Sequence, residues 1–346
     1  MVWRASSLVT PSVLLLCGLS VRTAAQDAVI LSASGSPQGW VRIRGQLETV
    51  SDRGVYIRGD DGTVREYAGR RLLRVETSLL PEHQEGNRLF AQGEFAGALK
   101  AYTAAQSKES RPFVAAQIRI QIVWCLRYLG RRLEACREFF AVAAGDIPSA
   151  FASAAPVSWL PGPVEPALEA LCASQLASPS PLVALVAASY LVTGPRESQA
   201  LVQLDRLAVT ASEPVRTLAW FQSCRRRIMT VNEAELRRWE EVWEKLPVEW
   251  RAGPTAVIAQ GWEAAKDYEQ AALWWLRLPI LFAGHRDLAA RGLLAAGRNL
   301  ERLGRTDQAS ELYRELLRKY PESPDCPAAQ ARLEAGAKIS GAGPTD

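Results

Sequence analysis

Few residues in this sequence are suited to acid–base or metal chemistry. The chain has only two histidines, His83 and His285, and they lie far apart in the sequence. General acid–base catalysis would therefore rest on carboxylates, and these recur at positions typical of solvated helix faces. The sequence contains no phosphate-binding loop, zinc-protease helix motif or nucleophile elbow. We therefore predict a non-catalytic protein that needs no cofactor and no bound metal.

The cysteines also lack the spacing of a metal or redox site. Cys125, Cys136, Cys172, Cys224 and Cys326 form no C-x-x-C pair, and a metal site would need more histidines than the chain offers. Most of them are expected to be small buried hydrophobic residues. A disulfide between Cys125 and Cys136, across a helical hairpin, stays open as an alternative.

The remaining polar and aromatic residues must be positioned by helices, and the clearest helical pattern runs from Ala289 to Pro321. Its apolar period stops at Gly304-Arg305-Thr306-Asp307 and then restarts. Two short helices cross closely only where small residues face each other, so we expect Gly297 and Ala309 to touch. The final proline cannot continue a helix and ends the second one. This pattern resembles the tetratricopeptide repeat, a helical hairpin that stacks on its neighbours.

The same resemblance extends to other parts of the chain. One pair of such repeats is predicted over residues 81–145, and a second pair follows one further helix within residues 231–335. The Tyr320-Pro321-Glu322-Ser323 ending is also similar to envelope repeat proteins of the outer-membrane assembly and Tol-associated kind. The residues that carry the resemblance are turn glycines, small or aromatic residues at helix crossings and a terminal proline: Gly93, Ala98, Tyr102, Gly130, Ala135, Ala271, Gly297, Gly304, Ala309, Tyr313 and Pro321.

Residues 146–230 form a different region. They begin with a proline-rich connection and continue as helices that weakly resemble HEAT repeats. Residues 27–78 alternate apolar and polar side chains, with a turn signal at Asp60-Asp61-Gly62-Thr63, and predict a small SH3-like or Sm-like β barrel. The predicted fold class is therefore mainly α: an α-solenoid of tetratricopeptide-like and HEAT-like hairpins preceded by this barrel.

Both ends of the chain differ from the rest in composition. Residues 1–25 read as a signal peptide, with Arg4, a short apolar core and a Thr23-Ala24-Ala25 cleavage site. The apolar core is shorter than the roughly 20 residues of a membrane-spanning helix, so no transmembrane span is expected after cleavage. An uncleaved anchor is the alternative. Residues 336–346 are polar and glycine-rich and predict a disordered tail.

The resemblance to tetratricopeptide repeats also implies a binding face. Inner helices of such repeats line a concave surface, and polar or aromatic residues there contact a peptide. Ordinary solvated surface positions are the alternative for the same residues. The candidate peptide-groove residues are His83, Asn87, Phe90, Gln121, Trp124, Arg127, Arg291 and Arg298.

Together these features predict an exported scaffold that binds a protein or peptide partner in the periplasm or cell envelope. The net charge of +4 comes from scattered cationic residues, without the clustered basic stripe of a nucleic-acid-binding surface. The alternatives are a periplasmic enzyme of unrecognised type and a barrel that binds a ligand or nucleic acid. The sequence leaves the partner's identity and the oligomeric state open.

Overall fold

The computed structural model describes residues 27–341, apart from residues 34, 36–37, 51–53 and 144–148. The predicted signal peptide and the end of the predicted tail lie outside this described part. The chain divides into two compact units, Met1–Pro156 and Val157–Asp346. It is mainly helical, and the described strands all lie near its start, as the sequence predicted. Among the described helices, none combines the length and the apolar character needed to cross a bilayer.

The first unit opens with short strands in two antiparallel sheets. The strands are β1 (Ala28–Ser32), β2 (Trp40–Arg44), β3 (Gln46–Val50), β4 (Gly54–Arg58), β5 (Val64–Ala68) and β6 (Leu72–Glu76). The strand orders are β2-β1-β6 and β3-β4-β5. Each hydrogen-bonded pair of described strands belongs to one of these sheets, so the region predicted as a closed barrel is seen as two open three-stranded sheets.

The two sheets share one hydrophobic core. Alternate residues of the strands point to the same side, and Val29, Leu31, Leu47 and Ile57 pack there with almost no exposure. Gly45 joins β2 to β3, and its amide donates to the Asp27 carbonyl oxygen at 3.0 Å. A Cβ atom at this position would lie 2.3 Å from the carbonyl oxygen of Arg58, so only glycine lets the chain pass from one sheet to the other here.

Helices make up most of the rest of both units, and within each unit most helices that follow one another in the chain pack against each other. Several begin with proline at the first position, where its missing N–H costs nothing. The first unit contains α1 (Pro81–Ala91), α2 (Phe95–Gln106), α3 (Pro112–Tyr128), α4 (Arg132–Ala143) and α5 (Ser149–Ala152). The second unit contains α6 (Pro166–Gln175), α7 (Pro181–Leu191), α8 (Glu197–Thr210), α9 (Val215–Cys224), α10 (Glu233–Lys245), α11 (Ala252–Ala264), α12 (Tyr268–Leu281), α13 (Arg286–Arg302), α14 (Thr306–Lys319) and α15 (Cys326–Gly341). The last of these extends to Gly341, so residues 336–341 of the predicted disordered tail are helical instead.

One type of turn closes the hairpins α1–α2, α3–α4, α11–α12 and α13–α14. The residues with positive φ after the first helix are Gly93 (80°), Gly130 (71°), Lys266 (64°) and Gly304 (75°). The next amide then donates to a carbonyl of the last helical turn, as from Glu94 to Leu89 (2.9 Å) and from Arg305 to Leu300 (2.9 Å). Glycine adopts this conformation freely, whereas a lysine there costs about 1–2 kcal/mol.

The helix crossings of the first and last hairpins pair a glycine with a tyrosine ring. A Cβ atom at Gly86 would lie 2.6 Å from Cδ1 of Tyr102, and one at Gly297 would lie 2.3 Å from Cε1 of Tyr313. The atoms nearest to a side chain at Gly297 would therefore belong to Tyr313, and the expected contact between Gly297 and Ala309 stays a prediction. A glycine leaves room for a whole aromatic ring to lie on the helix backbone, and Ala309 packs in the same core nearby.

A buried arginine fixes the proline-rich connection of the second unit. Arg225 is 8% exposed, and its Nη1 donates to the carbonyl oxygens of Ser158 and Ser189 (both 2.9 Å) and to Oε1 of Gln222 (2.7 Å). Gln222 in turn donates to the Ser158 carbonyl oxygen at 2.9 Å. Burial lowers the pKa of Arg225 to about 10, so its guanidinium stays charged at neutral pH. The segment around Ser158 is thereby held against α7 and α9.

Candidate peptide-binding site

The groove residues predicted in the first unit differ in exposure, and His83 and Trp124 are buried. His83 is 1% exposed, and its ring lies edge-on to Tyr102 with centroids 5.8 Å apart. Neither ring nitrogen has a hydrogen-bond partner among the described residues. Burial lowers the pKa of His83 to about 4, against the Glu109 charge, which raises it, and together with the Arg111 charge. The prediction that His83 lines a binding surface is wrong, because α1 turns this position onto α2.

The next two groove candidates on α1 also serve the hairpin itself. The hydroxyl of Tyr102 donates to Oδ1 of Asn87 at 2.8 Å, so this side chain is occupied. Phe90 packs with Phe95 and Tyr128, at centroid distances of 5.4 and 5.8 Å. These aromatic rings join α1 to α2 and α3 and leave Phe90 part of the core.

On α3, Trp124 and Arg127 form a pair rather than a recognition surface. Trp124 is 8% exposed, and the guanidinium carbon of Arg127 lies 4.3 Å from its ring centroid. Arg127 also donates to the carbonyl oxygen of Ala154 at 3.1 Å. Gln121 stays partly exposed. The structure therefore places these side chains around helix contacts, with Gln121 the most available of them.

The groove candidates of the last hairpin behave differently from one another. Arg291 binds Asp325 with both guanidinium arms, from Nε to Oδ2 (2.9 Å) and from Nη2 to Oδ1 (2.7 Å), and thereby ties α13 to the start of α15. Arg298 is partly buried, and its Nε has no hydrogen-bond partner among the described residues. The hydroxyl of Tyr313, which is 1% exposed, makes no hydrogen bond of ordinary geometry with a described residue, although the Glu301 carboxylate lies close to it.

The unpaired donors Arg298 and Tyr313 result from a difference between two equivalent hairpins. Gly86, Gly93, Ala98 and Tyr102 recur in the same order and spacing as Gly297, Gly304, Ala309 and Tyr313. At the position where the first hairpin has Asn87, an acceptor, the last hairpin has Arg298, a donor. Burial and the nearby Glu301 carboxylate raise the pKa of Tyr313, so its hydroxyl keeps the proton that it offers.

The second unit contains a cluster of tryptophans that the sequence did not predict to lie together. Oε1 of Glu240 accepts from Nε1 of Trp262 (2.8 Å) and of Trp274 (3.0 Å). The guanidinium carbon of Arg277 lies 3.6 Å from the Trp274 ring centroid. Nε1 of Trp243 donates to the Thr255 hydroxyl at 2.9 Å. The signal was the tryptophan spacing on α10 and the Trp274-Trp275 pair, but a sequence does not show which indole meets which acceptor.

No known protein family and no curated protein matches this chain. Its chemistry must be read from its own side chains. Within the described ranges, no group of three or more histidine, cysteine or acidic residues could hold a metal ion. Cys125 and Cys136 are buried free thiols and form no disulfide with each other. Burial raises the pKa of Cys125 to about 12, which makes it a poor nucleophile.

Proposed function

We propose that this chain is an exported, non-catalytic scaffold that binds a protein or peptide partner in the cell envelope. Its helices would form an α-solenoid of tetratricopeptide-like and HEAT-like hairpins after an SH3-like or Sm-like barrel. The observation that carries the proposal is the repeated hairpin turn with positive φ at Gly93, Gly130, Lys266 and Gly304. Units that repeat one turn and one packing scheme are typical of proteins that present stacked surfaces to partners.

The strand order supports the small-barrel part of the proposal. Strands β2 and β3 are separated only by Gly45, so they act as one strongly bent strand that belongs to both sheets. The order then reads β6-β1, the bent strand, and β4-β5. A continuous antiparallel sheet bent in this way encloses its own core, as a small barrel does.

We place the partner at the unpaired donors of the last hairpin. A buried donor without an acceptor costs about 1–3 kcal/mol, and a bound carbonyl oxygen would remove that cost. The Arg298 guanidinium and the Tyr313 hydroxyl both offer such protons. An extended peptide carries carbonyl oxygens at regular intervals, so it can supply acceptors to both groups. Arg332 and Glu301, which pair at 3.2 Å, lie beside them and could contact charged side chains of the partner.

The test is capture of partners from an envelope extract by the immobilised full-length chain, with identification by mass spectrometry. The wild type and Arg314→Ala are expected to capture the same protein, while Arg298→Ala loses it. Arg314 is the matched control because it neighbours Tyr313 on α14 but is exposed. Equal capture by Arg298→Ala would overturn the placement of the site. Turnover of a substrate by the purified chain in a hydrolase or transferase screen would overturn the scaffold.

Export is tested separately with a reporter fused after Gln26. The expected result is reporter activity outside the cytoplasm and a mature chain that starts near Gln26. A reporter that stays in the cytoplasm would remove the envelope from the proposal but leave partner binding to be judged on its own.

A further inference from the structure

A cleft of about 480 Å³ lies where α9 meets the start of α10 in the second unit. Its walls are the rings of Trp220 and Trp239, and its rim carries Arg227, Glu235 and Arg238. The two rings lie nearly perpendicular, with centroids 6.4 Å apart. A cleft of this volume is in the range that holds a small organic molecule, and aromatic walls suit an apolar body.

The indole nitrogen of Trp239 sets this cleft apart. Trp239 is 0% exposed, and its Nε1 has no hydrogen-bond partner among the described residues. By contrast, four other tryptophans of the second unit have acceptors for their indole N–H groups, which are Glu240 for Trp262 and Trp274, Thr255 for Trp243 and Glu263 for Trp275. A buried donor left unpaired is unusual in a folded protein and calls for an acceptor.

The Trp239 ring is packed on one edge against a neighbouring helix. The Cζ3 edge of Trp239 faces α11, where it would lie 3.4 Å from a Cβ atom at Gly261. Nε1 lies on the opposite edge of the indole. Since Trp239 also lines the cleft, an acceptor that enters from the cleft is the partner that the geometry leaves open.

The charges on the rim favour an anionic acceptor. Arg227 is paired with Glu235 at 2.5 Å, so these two groups largely neutralise each other. Arg238 is exposed and forms no ion pair with any described residue. Asn232 caps α10 by accepting from the Glu235 amide at 2.9 Å, and the first turn of this helix adds a partial positive charge. The unpaired groups are therefore donors and cations.

We propose that this cleft binds a carboxylate attached to an apolar group. The carboxylate accepts from Nε1 of Trp239 and pairs with the Arg238 guanidinium, while the apolar group packs on Trp220. A free small-molecule acid and the C-terminus of a peptide both present this chemistry. The site goes beyond the proposed scaffold function and shares no residue with the Arg298 and Tyr313 surface, so either proposal can fail alone.

The test is a titration of the ¹⁵N-labelled full-length chain, followed through its indole N–H resonances. The probe is N-acetyl-L-phenylalanine, and its uncharged amide is the control probe. We expect the Trp239 resonance to move downfield with the acid and to stay in place with the amide. Trp262 is the internal control, because its N–H already donates to Glu240. Trp239→Phe serves only to assign the resonance.

Variants on the exposed face of α10 complete the test. Arg238→Gln is expected to weaken binding of the acid about tenfold or more, because an ionic hydrogen bond is lost. Arg237→Gln is the matched control, since Arg237 pairs with Glu233 and Glu240 instead, and it should leave the affinity unchanged. Equal affinities of these two variants would overturn the role of Arg238.

Two acetylated tetrapeptides that end in phenylalanine, one a free acid and one an amide, distinguish the sources of the carboxylate. Tighter binding of the peptide acid than of N-acetyl-L-phenylalanine identifies a peptide C-terminus, and the reverse order identifies a small molecule. Either order supports the proposed chemistry. Absence of a shift with both acids up to about 10 mM, or equal shifts with acids and amides, would overturn it.

Discussion

Acidification is expected to destabilise the first unit through His83. The pKa of this imidazole is about 4 in the folded chain, against an ordinary value of 6.5. The unfolded chain therefore takes up a proton as the pH falls through 6.5, while the folded chain does not until about pH 4. Stability is complete above pH 6.5 and is lost progressively between these values. At about 1.4 kcal/mol per pH unit, the loss is about 2 kcal/mol at pH 5 and about 3 kcal/mol at pH 4.

The assay compares urea unfolding of the wild type and His83→Leu between pH 7 and pH 4. Leucine has a similar volume and no proton to bind, so the variant should lack this part of the pH dependence. Carboxylates whose pKa is lowered in the fold, such as Glu82 and Glu109, titrate in both proteins and cancel in the difference. The informative quantity is therefore the difference between the two proteins in the free energy of unfolding, followed against pH.

The pKa of the His83 imidazole can also be measured directly. The chain has only two histidines, so the His83 and His285 ring protons can be assigned by substitution and titrated by NMR. We expect the His83 signal to stay nearly constant down to about pH 5 and to have its midpoint near pH 4. A midpoint near 6.5, or identical pH profiles of wild type and His83→Leu, would refute the reasoning from burial.

Three further tests, with five substitutions, address other parts of the structure. Lys266→Gly should stabilise the chain by about 1 kcal/mol in urea unfolding, because the positive φ no longer strains a side chain. Gly304→Ala should destabilise it by a similar amount. A loss of stability in Lys266→Gly would contradict the assigned positive φ of this turn. Arg225→Met should cost about 3 kcal/mol or more by leaving buried carbonyl oxygens without donors, while Arg226→Met, at an exposed neighbour, should cost less than about 1 kcal/mol in the same assay. Arg298→Asn should raise stability by about 1 kcal/mol, because the new amide oxygen accepts from the Tyr313 hydroxyl. The same variant should no longer capture the partner. Unchanged stability would show that the Tyr313 hydroxyl already has an acceptor.

The sequence predicted the helices well because their signals are local. Gly93 and Gly304 mark turns that are closed by a residue with positive φ, and glycine in the sequence signals such a turn. The prediction of a mainly helical chain with short strands near its start is confirmed. Whether the strands close into a barrel was harder to predict from the sequence. Closure depends on which strands pair with each other, and pairing is a relation between strands rather than a property of one strand.

The candidate site was predicted less well because exposure depends on what packs against a helix. His83 and Asn87 were assigned to one face from helical spacing, but spacing alone does not show that Tyr102 covers that face. The unpaired Trp239 nitrogen could not be read from the sequence either. Tryptophans at helical spacing indicate a core, and only coordinates show which of their N–H groups has an acceptor.

The first and last hairpins together show where a repeated fold leaves room for function. Both place a tyrosine over a glycine, so both bury a hydroxyl that needs a partner. In the first hairpin Asn87 supplies that partner at 2.8 Å and closes the unit on itself. In the last, Arg298 adds a second donor instead, and the backbone packing is unchanged. A substitution that keeps the packing but reverses the hydrogen-bonding role costs stability unless something else supplies the acceptor. The binding partner is therefore best sought at Arg298 and Tyr313.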